Sequence, residues 1–255
     1  MPSDESWGLT GQAAVVTGAS SGLGRATALA LAQAGADVAL FARSGDELGR
    51  VADEIADATG RRALSLPLDL ADEGQILAAV ARAAAEFGRL DVLVSAAGTD
   101  APGSAEELAI PDWDRVLAVN LRAPFVLAKA VFPHMRRGGR GTIVNVSSVA
   151  GKRGWANASA YCASKFGLTG LTQALAAEGR AHGIRACVLY PGGMATNWGA
   201  WSPDERSTGG GPRPPATEAL PPAEVAALIV WIVGAPPELV LNEAVVSPLM
   251  EGGWP

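Results

Sequence analysis

Residues 13–30 read Ala13-Ala14-Val15-Val16-Thr17-Gly18-Ala19-Ser20-Ser21-Gly22-Leu23-Gly24-Arg25-Ala26-Thr27-Ala28-Leu29-Ala30, and this stretch decides the fold. Ala13–Thr17 is a short apolar run with no polar side, the pattern of a strand buried on both faces. Three glycines then interrupt it with the spacing G-x-x-x-G-x-G, which differs from G-x-G-x-x-G. An Ala/Leu-rich helix is expected from about Gly22 to Ala34. Glycine lets the backbone turn sharply and lets an anion approach it closely, and the start of a helix presents unpaired N–H groups. A strand, glycine turn and helix in this order predict a pyrophosphate cradle, with Gly18, Ser20, Ser21, Gly22, Leu23 and Gly24 around the anion. The plain alternative is a tight strand-to-helix turn with no ligand.

The same alternation continues outward. Strands are expected over Asp37–Ala42, Ala63–Leu68, Leu90–Ala96, Gly141–Ser147, Ile184–Leu189 and near Ala244–Ser247. Helices are expected over Leu48–Thr59, Asp72–Phe87, Trp113–Arg136, Ser159–His182 and Ala223–Gly234. Buried strands alternating with helices imply right-handed crossovers. The sum is an α/β, doubly wound, Rossmann-type parallel sheet in three α/β/α layers, a single domain over residues 1–255. A dinucleotide crevice belongs at its switch point. The segment from Asn197 to Pro222 breaks the rhythm, being rich in Pro and Gly and without periodicity. It follows the carboxyl end of a strand, so a substrate lid is expected over about 193–222; the alternative is a surface insertion.

Composition narrows the function. The chain of 255 residues is 49% hydrophobic and 18% charged, with a net charge of −6. This supports a buried core, and no Lys/Arg run offers a nucleic-acid groove. Arg136, Arg137 and Arg140 read as the solvated end of an apolar helix. Cys162 and Cys187 cannot build a disulfide framework and fit a reducing compartment. His134 and His182 fall near helix ends, and no metal site is expected. Met1–Gly8 lacks the features of a signal peptide, and no apolar run reads as a membrane span. A cytoplasmic chain with neither a membrane nor a nucleic-acid partner is expected.

The second strand ends Leu40-Phe41-Ala42-Arg43-Ser44. An enzyme using NAD places a carboxylate here for the ribose 2′-hydroxyl. An arginine stands there instead, and a guanidinium suits a 2′-phosphate in charge and geometry. NADP(H) is therefore expected over NAD(H), with Arg43 and Ser44 in contact. The alternative is a surface arginine, with the acid supplied elsewhere.

Only Lys129, Lys152 and Lys165 are lysines among the 20 basic residues. Lys165 stands four residues after Tyr161, so both share a helix face. A nearby ammonium stabilises a phenolate, and a lowered phenol pKa suits proton exchange with an alcohol or carbonyl oxygen. Ser148, at the end of the strand Gly141–Ser147, is placed to polarise a carbonyl, with Ser147 as its rival. Asn120 lies among apolar neighbours inside a predicted helix, where a buried amide needs partners.

These motifs resemble the short-chain dehydrogenase/reductase family. They follow in order over nearly the whole chain: Thr17–Gly24, Asp69-Leu70, Ser95-Ala96-Ala97-Gly98, Asn120, Ser148, Tyr161-Cys162-Ala163-Ser164-Lys165, and Pro191-Gly192 with Thr196. The resemblance implies a catalytic tetrad of Asn120, Ser148, Tyr161 and Lys165. Tyr161 is general acid in reduction and base in oxidation, and Ser148 holds the substrate oxygen. Lys165 binds the nicotinamide ribose and depresses the Tyr161 pKa, and Asn120 anchors a water leading to Lys165. Asp69 and Leu70 meet the adenine, Ala96, Ala97 and Gly98 line the coenzyme, and Pro191, Gly192 and Thr196 meet the nicotinamide end. It also implies a homotetramer or dimer built on the helices of Asn120 and Tyr161. Two departures stand out: Ser95 replaces the family's usual Asn, which predicts weaker bracing of the central strand, and the C-terminus lacks the usual Gly-rich turn.

Trp155, Met194, Trp198 and Trp201 are expected near the reacting centre, where they suit a bulky or aromatic carbonyl or alcohol substrate; the alternative is that they anchor the lid. Lys152 and Arg153 read as a solvated loop; the alternative is that they meet an acidic substrate. The resulting expectation is an NADP(H)-dependent oxidoreductase acting on a carbonyl or secondary alcohol. A non-catalytic NADP-binding regulator would be expected to have lost Tyr161, Lys165 or Ser148. An epimerase or dehydratase would need a larger C-terminal region, and enoyl reductases space Tyr and Lys further apart.

Overall fold

The apolar run Ala13–Thr17 is strand β1, and its period of two divides its side chains between two cores. Ala14 and Val16 join the cluster with Ala28, Leu31 and Ile229, whereas Ala13 and Val15 join Val80, Leu127 and Val131 on the opposite face. Each large aliphatic side chain so buried contributes roughly 1.5–3 kcal/mol. The computed structural model describes residues 8–196 and 219–251.

After β1 come α1 (Gly22–Gln33), β2 (Asp37–Ala42), α2 (Gly45–Thr59), β3 (Ala63–Pro67), α3 (Glu73–Phe87) and β4 (Val92–Ser95). Then follow α4 (Ile110–Leu117), α5 (Ala123–Gly138), β5 (Gly141–Val146), α6 (Ser159–Gly179), β6 (Ile184–Pro191), α7 (Pro222–Gly234) and β7 (Glu243–Val246). The strands form a seven-stranded sheet in the order β3-β2-β1-β4-β5-β6-β7, and every neighbouring pair is parallel. The order reverses between β1 and β4, opening the crevice at their carboxyl ends. The doubly wound α/β expectation is met. Even without a Gly-rich turn before it, β7 pairs in register with β6, Glu243 opposite Val188.

One expected helix is not a single regular helix. The sequence predicts one helix over Trp113–Arg136, but the helical run begins at Ile110 and widens into a π-helical turn over Ala118–Arg122. The Ala123 N–H reaches back five residues to the Ala118 carbonyl. Pro124 supplies the reason. It has no N–H for the Asn120 carbonyl, and its ring crowds that carbonyl. The run Ile110–Gly138 has the length and apolarity of a membrane span, but half of the apolar window is buried within the protein, and Val126, Leu127 and Val131 pack in the core beneath the sheet.

Candidate active site

The glycine turn fits an anion. Gly18 has φ +68°, and a Cβ there would lie 3.0 Å from the Ala97 backbone. A Cβ on Gly24 would meet the Gly18 carbonyl oxygen at 2.2 Å, so α1 could not pack this close to the turn with any other residue. Ser21 caps α1 in extended conformation without a side-chain hydrogen bond, and no acid occupies the first turn. The N–H groups opening α1 and the positive end of its dipole therefore face the crevice with neither a side-chain cap from Ser21 nor an acid in the first turn. Ser20 and Ser21 flank this opening, Leu23 is buried beneath it, and the Thr196 methyl lies over Gly22. Ala97 is tied down by donating its N–H to the Thr17 Oγ1 at 3.1 Å, with half-buried Ala96 before it and exposed Gly98 after it.

Arg43, at the end of β2, is exposed and takes part in no salt bridge among the described residues. Ser44 caps α2 without using its side chain. A cation and a free hydroxyl at this edge fit a 2′-phosphate. Asp46 and Glu47 lie in the first turn of α2, where they complement its dipole. Asp69 is more engaged than the sequence implied. Its Oδ2 accepts from Arg115 at 2.8 Å and its Oδ1 from the Ala71 N–H at 2.9 Å. The Arg115 bond is the main reason its pKa is lowered. Leu70 is buried in the core and offers an apolar surface rather than a polar contact. Arg115 carried no signal in the sequence, because its partner is 46 residues away.

Tyr161 and Lys165, one turn apart on α6, are only 8% and 4% exposed. A hydrogen bond joins the side chains of Tyr161 and Ser148, and Ser148 also accepts from the Ala150 N–H at 3.2 Å. The rival Ser147 turns away and donates to the Lys165 carbonyl at 3.2 Å. The Lys165 ammonium donates to the Val146 carbonyl at 2.9 Å and lies 5.6 Å from the centre of the Tyr161 ring. Asn120, inside the π-helical turn, accepts from the Thr99 N–H and donates to the Thr99 carbonyl, both at 2.8 Å. It also donates to the Ser164 hydroxyl at 3.1 Å. The four residues of the expected tetrad therefore converge, with the amide of Asn120 bound to protein groups.

The expected depression of the Tyr161 pKa is not what the fold produces. Burial dominates and pushes the phenol above its ordinary value, with the Ser148 bond opposing it. Burial likewise pulls Lys165 down to about 8. Spacing along the helix conveys the neighbouring charge but not desolvation, which disfavours both charged forms.

Asp100 is the site residue that the sequence reading missed. Its carboxylate lies within electrostatic reach of both Tyr161 and Lys165, and burial raises it to about 6. The available signal was an acid two residues after Gly98. At the other side, Pro191 ends β6, and Gly192 donates to the Val246 carbonyl at 2.8 Å. The Glu251 carboxylate accepts from the Gly193 N–H at 3.1 Å and fills the space beside Gly192. Trp155 is half exposed, and Met194 bridges to Leu220. Trp198, Trp201 and most of the expected lid lie outside the described residues. Ser95 is buried, with its hydroxyl unpartnered, consistent with weaker bracing of β4.

The family model for short chain dehydrogenase matches residues 12–206. The chain belongs to the short-chain dehydrogenase/reductase family. This short-chain dehydrogenase is 37% identical to D-threitol dehydrogenase of Mycolicibacterium smegmatis, over 88% of its own length and 86% of the relative. It is 40% identical to cis-4-hydroxycyclohexanecarboxylate dehydrogenase of Sinomonas cyclohexanicum, over 86% and 88%. A solved metagenomic short-chain oxidoreductase in complex with NADP superposes with a TM-score of 0.81 at 36% identity, covering 95% of this chain and 99% of that one.

Proposed function

We propose that this oxidoreductase is NADP(H)-dependent and moves a hydride between nicotinamide and a carbonyl or secondary alcohol, with Tyr161 as general acid and base. The observation that carries this reading is the hydrogen-bonded Tyr161–Ser148 pair with the Lys165 ammonium one turn away. NADP(H), when bound, supplies or accepts the hydride. In reduction, Ser148 donates a hydrogen bond to the substrate oxygen and Tyr161 delivers the proton to it; in oxidation, Tyr161 removes that proton. The Lys165 ammonium holds the coenzyme ribose, and the Ser148 hydrogen bond is the contact that favours the phenolate. Asn120 fixes the wall at Thr99 and Ser164. Gly18, Ser20, Ser21, Gly22, Leu23 and Gly24 enclose the pyrophosphate, and Arg43 and Ser44 meet the 2′-phosphate. Asp69 and Leu70 flank the adenine, Ala96, Ala97 and Gly98 line the coenzyme, and Pro191, Gly192 and Thr196 hold the nicotinamide end. Two relatives whose names denote oxidation of hydroxyl compounds, and a structural neighbour bound to NADP, support the same reading.

The test is titration of the purified protein with NADPH and NADH by calorimetry, followed by turnover of the Tyr161→Phe variant. Tighter NADPH binding is expected, together with turnover reduced by several orders of magnitude while NADPH affinity survives. A preference for NADH would refute the Arg43 assignment. Retained turnover would refute the Tyr161 role.

A further inference from the structure

The segment 99–103 is fastened at both ends beside the first turns of α6. At Thr99, both backbone groups are held by the Asn120 amide, which itself bonds Ser164. At Gly103, the N–H donates to the Asn157 carbonyl at 3.0 Å and the residue bridges to Ala158, the residue capping α6. Between Ala158 and Ser164 lies Tyr161. The strap is therefore held beside the first turns of α6, which carry Tyr161, and Asp100 is the acid on it, within electrostatic reach of Tyr161 and Lys165.

Among the described residues, only one oxygen of the carboxylate is committed to a hydrogen bond. Its Oδ1 accepts from the neighbouring Ala101 N–H at 2.7 Å, which fixes its direction. Among the described residues, Asp100 takes part in no salt bridge. Other charged or titratable groups facing this space are Lys165 and Tyr161, with Cys162 beside the latter. A half-buried carboxylate with unused acceptor capacity needs a donor. A cationic donor on the substrate would be repelled by the ammonium of Lys165, whereas a neutral hydroxyl would not.

Resting on the function proposed above, we infer that Asp100 is a specificity residue whose carboxylate accepts a hydrogen bond from a substrate hydroxyl next to the reacting carbon. The favoured substrates are then vicinal diols in oxidation and α-hydroxy ketones in reduction. Ser148 and Tyr161 hold the oxygen that reacts, and Asp100 holds its neighbour.

The experiment compares the vicinal diol of cyclohexane with cyclohexanol, and the vicinal diol of butane with the matching secondary mono-alcohol, using full-length protein and NADP+. The wild type is expected to favour each diol in kcat/KM by about tenfold, the worth of one hydrogen bond to a charged group. In Asp100→Ala the ratio is expected to fall to about one, mainly through KM. In Asp100→Asn, which keeps a carbonyl acceptor, it is expected to fall only part of the way. Calorimetry on the NADP+-loaded Tyr161→Phe variant gives a readout without turnover: it is expected to bind the diol, and adding Asp100→Ala is expected to weaken that binding about tenfold. An unchanged ratio in Asp100→Ala, equal losses on both members of a pair, or a wild-type preference for mono-alcohols would overturn the inference while leaving the proposed function standing. A wild type that oxidises none of these alcohols and reduces none of the matching ketones would overturn both.

Discussion

Asp100 and Lys165 make a testable pair at the scale of single residues. The folded-state pKa of Asp100 is raised from 3.8 to about 6, with burial the largest cause. The fold therefore disfavours its charge. That penalty is fully present above pH 6 and disappears as pH falls from about 6 towards 3.8, where the acid becomes neutral in folded and unfolded chains alike. Asp100→Asn is expected to raise the melting temperature by roughly 2–4 °C at pH 8. In thermal denaturation that gain should shrink steadily below pH 6. The same substitution acts on Lys165, whose pKa is lowered to about 8 by burial and partly restored by Asp100. As pH rises through that value the ammonium is lost, so kcat/KM for reduction is expected to fall. Asp100→Asn should move this alkaline limb to lower pH; a limb that stays in place or moves upward would contradict the coupling.

At the scale of elements, the π-helical turn between α4 and α5 does work that a regular helix would not. It seats Asn120 so that one amide grips both backbone groups of Thr99. Asn120→Ala leaves an N–H and a carbonyl without that partner in a half-buried place. The variant is expected to lose about 2 kcal/mol of stability, read as a lower denaturant midpoint at unchanged slope. Because the strap carries Asp100, this substitution should also reduce the preference for diols over mono-alcohols. If stability falls and the preference stays, Asn120 supports the fold without positioning the strap.

At the scale of the whole molecule, α4, α5 and α6 present an apolar outer face. Phe125 and Phe166 are about half exposed there, with Leu117, Leu121 and Leu171 lining a groove beside Phe125. We propose that this face joins copies of the chain, a tetramer or a dimer built on the helices of Asn120 and Tyr161. Light scattering should then report two or four times 25.9 kDa, and Phe166→Asp should reduce the mass to a smaller species. A monomeric wild type would refute the assignment.

Much of this was legible along the chain because it depends on neighbours in sequence. The apolar runs and glycine spacing determined the strand-to-helix alternation and the tight glycine turn that opens α1. The four-residue step from Tyr161 to Lys165 placed both on one face of α6, and Arg43 marked the end of β2. Pro124 also announced the π-helical turn, four residues after Asn120, although the apolar period concealed it. Tertiary structure alone decided the rest. The Tyr161 and Lys165 pKa values follow from how completely the fold strips water from them, which no local spacing encodes. Arg115 meets Asp69, and Glu251 meets Gly193, only after distant segments converge. Asp100 becomes part of the site only because Asn120 and Asn157 fasten its strap against α6. Local steric and hydrogen-bonding preferences act over a few residues, whereas desolvation and long-range pairing exist only once the chain has folded.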